Sequence, residues 1–275
     1  KKEFEDTMEL NTASSLEGVG NFRISAFRQK NSPAVVVRYI PGTIPPFDSL
    51  NLPAVLKDII MEKRGLILMV GATGSGKSTL AHLLLRMYDV NSGELLLDGH
   101  AIDTLDLHSL RSGIAYAPQD SYLFSDTIFN NIRFGNNTAT EQEVIEAARM
   151  ADLDKDIAAL SDGYQTVIGE RGVILSGGQK QRMILARALL KNSKILLMDE
   201  CLSAVDTQTE KNILGNLKEY LADKTTLVIT HRIFTSWTFD KIIILDHGRI
   251  TEQGTHDELI ALNGKYAQLY KYQTS

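Results

Sequence analysis

The sequence contains very little cysteine and no long apolar run. A single cysteine, Cys201, among 275 residues excludes an intramolecular disulfide framework and a thiolate-rich metal site, and it favours a reducing compartment. No stretch approaches the roughly eighteen apolar residues that a membrane-spanning helix needs, and the first residues lack the apolar core of a signal peptide. We therefore expect a cytoplasmic protein that does not itself insert into a membrane, with Cys201 as a small buried packing residue.

An excess of positive charge is also missing. The chain has 29 lysines and arginines against 34 aspartates and glutamates, a net charge of −5, so it does not present a general polyanion-binding surface. We expect no nucleic-acid partner. A composition of 43% hydrophobic and 23% charged residues is typical of a folded globular protein, and the length allows one large or two modest domains.

Beyond residue 65 the pattern is that of buried strands alternating with helices. Four short apolar runs, of the kind found in parallel sheets covered on both faces, occupy residues 66–70, 195–198, 226–229 and 242–245. Residues 178–191 and 207–222 are long enough to be crossover helices. This alternation predicts a doubly wound α/β fold with a mostly parallel sheet.

The N-terminal part has a different rhythm. Apolar and polar residues alternate over 22–29, and a β-branched run covers 34–40, so the two segments are predicted to pair as a hairpin. Three prolines and a glycine within residues 41–46 indicate a linker. Apolar residues at helical spacing over 52–63 predict an amphipathic helix.

A glycine-rich motif follows the first of the buried strands. Residues 71–78 read GATGSGKS and satisfy the pattern G-x-x-x-x-G-K-[ST] between a predicted strand and a predicted helix. Glycines let the backbone wrap around phosphates, while Lys77 reaches the β- and γ-phosphates and Ser78 binds Mg²⁺. The predicted nucleotide-binding residues here are Gly71, Thr73, Gly74, Ser75, Gly76, Lys77, Ser78 and Thr79.

Two carboxylates end the strand predicted at 195–198. Asp199 would lie at the carboxyl edge of the sheet beside the glycine-rich loop, where it can hold Mg²⁺. Glu200 would point elsewhere and could orient or deprotonate an attacking water. The alternative is a strand end with two solvated acids.

A second glycine-rich segment precedes a helix about a hundred residues after the first. Residues 175–179 read LSGGQ, and one nucleotide does not need two phosphate-binding helix ends. This segment resembles the signature motif of the nucleotide-binding domains of ABC transporters. The resemblance implies that Ser176, Gly177, Gly178 and Gln179 bind nucleotide.

Further motifs follow in the order of that family. Residues 117–120 resemble its Q-loop, 166–172 its exporter-type X-loop and 203–206 its D-loop, and His231 matches its switch histidine. Residues 123–135 and 254–259 also resemble ABC exporters. Taken singly, Gln119 could be a loop amide, His231 a capping or surface histidine, and residues 203–206 a helix N-cap with Ser203 or Asp206 as the capping residue.

The resemblance implies a Mg²⁺-dependent ATPase in which water attacks the γ-phosphate. It assigns catalysis to Glu200, His231, Lys77 and Gln119, and the metal to Ser78, Gln119 and Asp199. Two domains would bind ATP head to tail, so that an ATP-dependent homodimer forms with the signature of one subunit on the nucleotide of the other, and ADP is released. The implied partner is the transmembrane domains of an exporter, at the cytoplasmic face of the inner membrane.

The N-terminal part resembles a different family. Residues 21–29, 37–41 and 52–66 are similar to the retraction ATPases of type IV pili, in which a PAS-like domain precedes the P-loop. We therefore predict a chimera whose two parts meet within or just after the P-loop. A partial α+β (PAS-like) segment and linker would occupy residues 1–46, and the P-loop core residues 47–275, with an ABC helical subdomain at about 120–190.

Three alternatives stay open. A divergent ABC entry is conceivable, in which Phe47 or Tyr39 stacks on adenine, although both could equally be hairpin or linker packing. The chain could instead be a hexameric motor of the pilus-retraction or secretion type. It could also be a folded chimera that binds nucleotide without turnover.

Overall fold

The computed structural model describes most of the chain and divides it into two compact units, Lys1–Ser49 and Leu50–Ser275. The described residues are 9–16, 20–29, 32–40, 65–72, 74–91, 93–120, 122–235 and 237–274. The predicted linker, the predicted helix over 52–63 and Phe47 lie outside them.

The first unit contains three antiparallel strands, β1 (Glu9–Leu16), β2 (Gly20–Gln29) and β3 (Ser32–Ile40). The predicted hairpin is confirmed, with Phe22 opposite Tyr39 in β2 and β3. Strand β1 was not expected, because its sequence, ELNTASSL, is mostly polar; it pairs with β2 along its whole length. All residues described in this unit belong to strands, so the helical part of the expected α+β segment is not found among them.

The second unit is built on a mixed sheet. The strands described in this unit are β4 (Gly65–Gly71), β5 (Leu96–Leu97), β6 (His100–Ala101), β7 (Ile114–Ala117), β8 (Ile195–Asp199), β9 (Thr225–Thr230), β10 (Lys241–Asp246) and β11 (Arg249–Gly254). Six of them form one sheet in the order β11-β10-β4-β9-β8-β7, and β5 pairs with β6 separately. All neighbours in the large sheet are parallel except β10 and β11, which form a hairpin.

The four predicted sheet strands are confirmed as β4, β8, β9 and β10. Their central residues are buried, which explains their continuous apolar sequences. In β4, for example, Ile67, Leu68, Met69 and Val70 are each at most 2% exposed. The edge strand β11 alternates between half-buried and exposed positions and carries polar residues, so its sequence, RITEQG, did not stand out as a strand. The fold is the expected P-loop α/β architecture.

Nine α-helices lie in the described part of this unit. They are α1 (Lys77–Leu84), α2 (Leu107–Ser112), α3 (Ile128–Arg133), α4 (Glu141–Met150), α5 (Asp154–Ala158), α6 (Gly177–Leu190), α7 (Thr207–Leu221), α8 (His256–Leu262) and α9 (Lys265–Thr274). Helices α6 and α7 are the predicted crossover helices, and Asp206 caps α7. None of the described helices is long and apolar enough to cross a membrane.

Helix α6 connects the helical layer to the sheet. It packs on α3, α4 and β7, and its residues Met183 and Leu185 are fully buried. This burial fixes the position of the N-terminus of α6, where the second glycine-rich segment lies.

Candidate active site

The glycine-rich loop joins β4 to α1 and depends on its glycines. Gly74 and Gly76 have φ angles of 82° and 95°, in the region that side chains disfavour. A Cβ atom on Gly71 would lie 2.4 Å from the carbonyl oxygen of Leu245. The hydroxyl of Ser75 is buried and has no hydrogen-bond partner among the described residues, which fits a loop that receives phosphate oxygens.

Lys77 lies buried at the first position of α1. Its Nζ donates to the carbonyl oxygens of Gly71 and Ala72, the latter at 3.3 Å, and lies 3.8 Å from Oε1 of Glu200. Burial lowers the pKa of Lys77, while the carboxylates of Glu200 and Asp199 oppose this shift. The amine is thus held inside the loop, beside the two acids.

Ser78 and Asp199 meet at the carboxyl edge of the sheet. Ser78 Oγ donates to Asp199 Oδ1 at 3.2 Å, and the Tyr116 hydroxyl donates to Oδ2 at 3.4 Å. Asp199 is 1% exposed, and burial raises its pKa, against the effect of the bond from Ser78. A hydroxyl oxygen and a carboxylate oxygen are suitable ligands for Mg²⁺, which also binds phosphate oxygens and waters. No group of three metal-ligating His, Cys, Asp or Glu side chains occurs in the described part of the chain.

Glu200 is directed away from Asp199 by its backbone. It has a φ angle of 49°, rare for a residue with a side chain, and is 8% exposed. Both of its carboxylate oxygens lie 2.9 Å from Nδ1 of His231, and Thr230 Oγ1 donates to Oε2 at 3.3 Å. The structure therefore brings Lys77, Glu200 and His231 together.

The segment 175–179 is organised separately. Ser176 caps α6, since its Oγ accepts from the Gln179 backbone at 3.2 Å and Gln179 Oε1 accepts from the Ser176 backbone at 2.9 Å. Gln179 Nε2 donates to Asp156 Oδ1 at 2.8 Å, and Ser176 and Gly177 are exposed. No hydrogen bond or ion pair among the described residues joins 176–179 to the loop at 71–78.

Some predicted site residues are not joined to this centre. Gln119 is exposed after β7 and has no hydrogen bond with a described residue. Thr73 lies outside the described residues, and Thr79 lies in the first turn of α1. Cys201 is buried, and burial raises the pKa of its thiol to about 12, as expected for a packing residue.

The sequence did not single out Gln181, which ties α6 to the centre. Its side chain is 7% exposed; Nε2 donates to Ser203 Oγ at 2.8 Å and to the Glu200 carbonyl oxygen at 3.3 Å, and Oε1 accepts from the Ala204 backbone at 2.8 Å. The only signal for it in the sequence is a polar residue at a position of α6 that faces the interior. Asp156, which binds Gln179 and Arg182, gave no signal at all.

A phosphate loop after the strand β4, with an aspartate at the end of β8, which is separated from β4 by β9 in the same sheet, defines this unit as a P-loop nucleoside triphosphatase. The model of the family described as ABC transporter matches residues 58–203. The chain belongs to the ABC transporter family and contains its ATP-hydrolysing domain, of the exporter type.

Individual relatives agree with this assignment. The ATP-binding cassette sub-family B member 6 of Xenopus tropicalis is 47% identical over 232 residues, which cover 83% of this chain and 27% of the relative. The ATP-dependent lipid A-core flippase of Legionella pneumophila (strain Paris) is 46% identical over 221 residues, with 80% and 38% coverage. This chain thus spans between a quarter and two fifths of the length of these relatives.

A solved structure is similar as well. The structure of a bacterial Atm1-family ABC exporter with ATP bound matches with a TM-score of 0.74 and 44% identity, over 77% of this chain and 37% of that one. The comparisons give no support to the expected pilus-retraction resemblance or to a chimera. The family match begins at residue 58, upstream of Gly71, so the similarity to ABC transporters does not start at the P-loop.

Proposed function

We propose that this chain binds Mg-ATP at residues 71–78 and hydrolyses it by attack of water on the γ-phosphate. The observation that carries the proposal is the contact of the Glu200 carboxylate with both His231, at 2.9 Å, and Lys77, at 3.8 Å. A buried acid between a phosphate-binding lysine and a histidine is suited to orient water and accept its proton.

Each side chain has a separate role in this proposal. Lys77 stabilises the charge of the β- and γ-phosphates, and His231 contacts the γ-phosphate. Ser78 and Asp199 would hold Mg²⁺, and Gln119 would contact the same ion. The bound Mg²⁺ would neutralise phosphate charge.

The exposed N-terminus of α6 supports a head-to-tail dimer. Ser176 and Gly177 face solvent and make no hydrogen bond to this chain's own phosphate loop in the described residues, while the helix end is suited to bind an anion. Residues 176–179 would therefore contact the γ-phosphate held by a second copy. Each nucleotide would lie between two subunits.

An apolar surface supports transmembrane domains as the partner. Tyr122, Phe134, Val167, Val173 and Ile174 are all more than half exposed, which is uncommon for large apolar side chains. Arg187 links two of them, since it donates to the Tyr122 carbonyl oxygen at 2.9 Å and lies 5.3 Å from the centre of the Phe134 ring. ATP-driven dimerisation would move this surface and so drive an exporter at the cytoplasmic face of a membrane.

Replacement of Glu200 tests the hydrolytic role. Glu200→Gln keeps the shape of the side chain but removes the base, so we expect ATP turnover to fall at least about 100-fold while ATP binding persists. Steady-state phosphate release and equilibrium ATP titration measure the two quantities. Glu219→Gln, on the exposed face of α7, is the matched control. Unchanged turnover in Glu200→Gln would refute the assignment.

A further inference from the structure

The C-terminal helix α9 contacts the backbone on both sides of Arg232, in the segment that follows β9. The side-chain amide of Gln273 accepts from the Ile233 backbone N–H at 2.7 Å and donates from Nε2 to the His231 carbonyl oxygen at 3.3 Å. Forty residues or more separate these partners in the sequence. Nothing in the motifs of the sequence pointed to Gln273.

The chemistry of this contact defines which side chains can make it. An N–H can only donate and a carbonyl oxygen can only accept, so the side chain between them must offer one acceptor and one donor side by side. An amide does so in one orientation only, with Oε1 towards Ile233 and Nε2 towards His231. Glutamate would lose the donor, and methionine would lose both groups at nearly the same size.

Helix α9 is anchored without Gln273. Tyr266 is buried and its hydroxyl lies 2.7 Å from Nδ1 of His256, and its backbone N–H donates to Glu252 at 3.0 Å. Lys265 forms an ion pair with Asp246. Loss of the Gln273 amide should therefore leave the helix in place and free only the segment that it contacts.

The other side of this segment is held from within the domain. Arg232 pairs with the buried Glu210 at 2.9 Å, and its backbone N–H donates to Thr230 Oγ1 at 3.1 Å. Gln273 supplies the bonds to the backbone of His231 and Ile233. The imidazole of His231 is itself more than half exposed, so its position against Glu200 depends on its backbone.

We propose that Gln273 is a positioning residue, which fixes the backbone of His231 so that the imidazole stays against the Glu200 carboxylate. This inference rests on the proposed ATP hydrolysis, because it assigns to α9 a part in the chemistry of that site. The C-terminal helix would thereby affect turnover without touching nucleotide.

The test compares Gln273→Met with Gln268→Met in the full chain. Gln268 lies on the same helix, is exposed and has no side-chain hydrogen bond with a described residue. We expect Gln273→Met to lower kcat about three- to ten-fold, the equivalent of one or two weakened hydrogen bonds, with Mg-ATP affinity and Tm matching Gln268→Met. In a His231→Ala background the same substitution should have no further effect on kcat.

A second readout does not depend on hydrolysis. Amide hydrogen exchange at Ile233 should be faster in Gln273→Met than in Gln268→Met, even if the wild-type chain proved inactive. Three results would each overturn the proposal. The kcat of Gln273→Met could equal that of the wild type, or Gln273→Met could lower kcat as much in the His231→Ala background as in the wild type. The third is an exchange rate at Ile233 that is the same in Gln273→Met and Gln268→Met. An inactive wild type with faster exchange would refute the proposed function and leave the contact established.

Discussion

At the scale of single residues, Glu200 has the most constrained position. Its φ angle of 49° is unfavourable for a residue with a side chain, and its buried carboxylate contacts His231. Such a conformation persists where surrounding contacts determine it, here those of Thr230, His231 and the Gln181 amide on its carbonyl oxygen. The adjacent acids Asp199 and Glu200 can thus face different parts of one substrate.

Asp156 is a residue whose charge stabilises the second glycine-rich segment. Burial by itself raises its pKa, but hydrogen bonds from Gln179 and Arg182 and the charge of Arg182 outweigh burial, so the pKa lies below its usual value. The unfolded chain therefore binds more protons than the folded one. The stabilisation is complete above the ordinary carboxyl pKa of about 4 and is lost as the pH falls through the lowered value.

We therefore expect Asp156→Asn to lower the free energy of unfolding by about 1–2 kcal/mol at pH 7. The difference from wild type should shrink as the pH falls below about 4. Urea unfolding at a series of pH values measures both effects. Asp154→Asn on the same helix controls for a carboxylate without these bonds, and a difference independent of pH would contradict the argument.

Site residues that belong to a sequence motif could be predicted from the sequence. Residues whose role depends only on a contact in the folded structure could not. Lys77, Ser78, Asp199, Glu200 and His231 lie at sequence positions that the family pattern fixes, and the structure brings them together. Gln181, Asp156 and Gln273 act through partners 19 to 42 positions away. Only the folded backbone specifies such pairs.

At the scale of elements, the close packing of α6 on the loop after β8 explains one glycine. A Cβ atom on Gly178 would lie 2.8 Å from the backbone oxygen of Ala204, which cannot move without shifting the loop. Gly215, inside α7, has no atom within 4 Å of the corresponding position. The two glycines therefore differ in what an added methyl group would meet.

This contrast predicts opposite signs for the same substitution. Gly215→Ala should stabilise the protein by about 0.5–1 kcal/mol, because alanine favours a helix interior. Gly178→Ala should destabilise it by about 1–3 kcal/mol through overpacking, because the added methyl group meets the Ala204 backbone. Thermal and urea unfolding of both variants test the packing, and stabilisation by both would show that α6 and the loop can separate freely.

Whether a strand could be predicted from the sequence depended on how deeply the strand is buried. The strands β4, β8, β9 and β10 are covered on both faces and have continuous apolar sequences, so they were predicted. Strands β1 and β11 have polar sequences and are held by pairing with a neighbour, which leaves no periodic signal. The hairpin β2–β3 was predictable from its alternation and short connection.

At the scale of the whole molecule, two of the described helices have N-termini suited to phosphate. One begins α1 and lies next to Asp199 and Glu200; the other begins α6 and contacts Asp156 instead. In the proposed function, the second helix end therefore binds the ATP held by a second copy. Because the chain spans well under half of its relatives, the transmembrane partner and the transported substrate belong to the proposal.

ATP-dependent assembly is the central property of the proposed site, and light scattering after size exclusion measures it directly on Glu200→Gln. With Mg-ATP the mass should double from monomer to dimer, and without nucleotide it should return to that of the monomer. A matched sample in which Ser176→Arg is added should stay monomeric with Mg-ATP. A Glu200→Gln protein that binds ATP but keeps one mass under both conditions would contradict the proposal that two subunits share each nucleotide. A hexamer would contradict it as well.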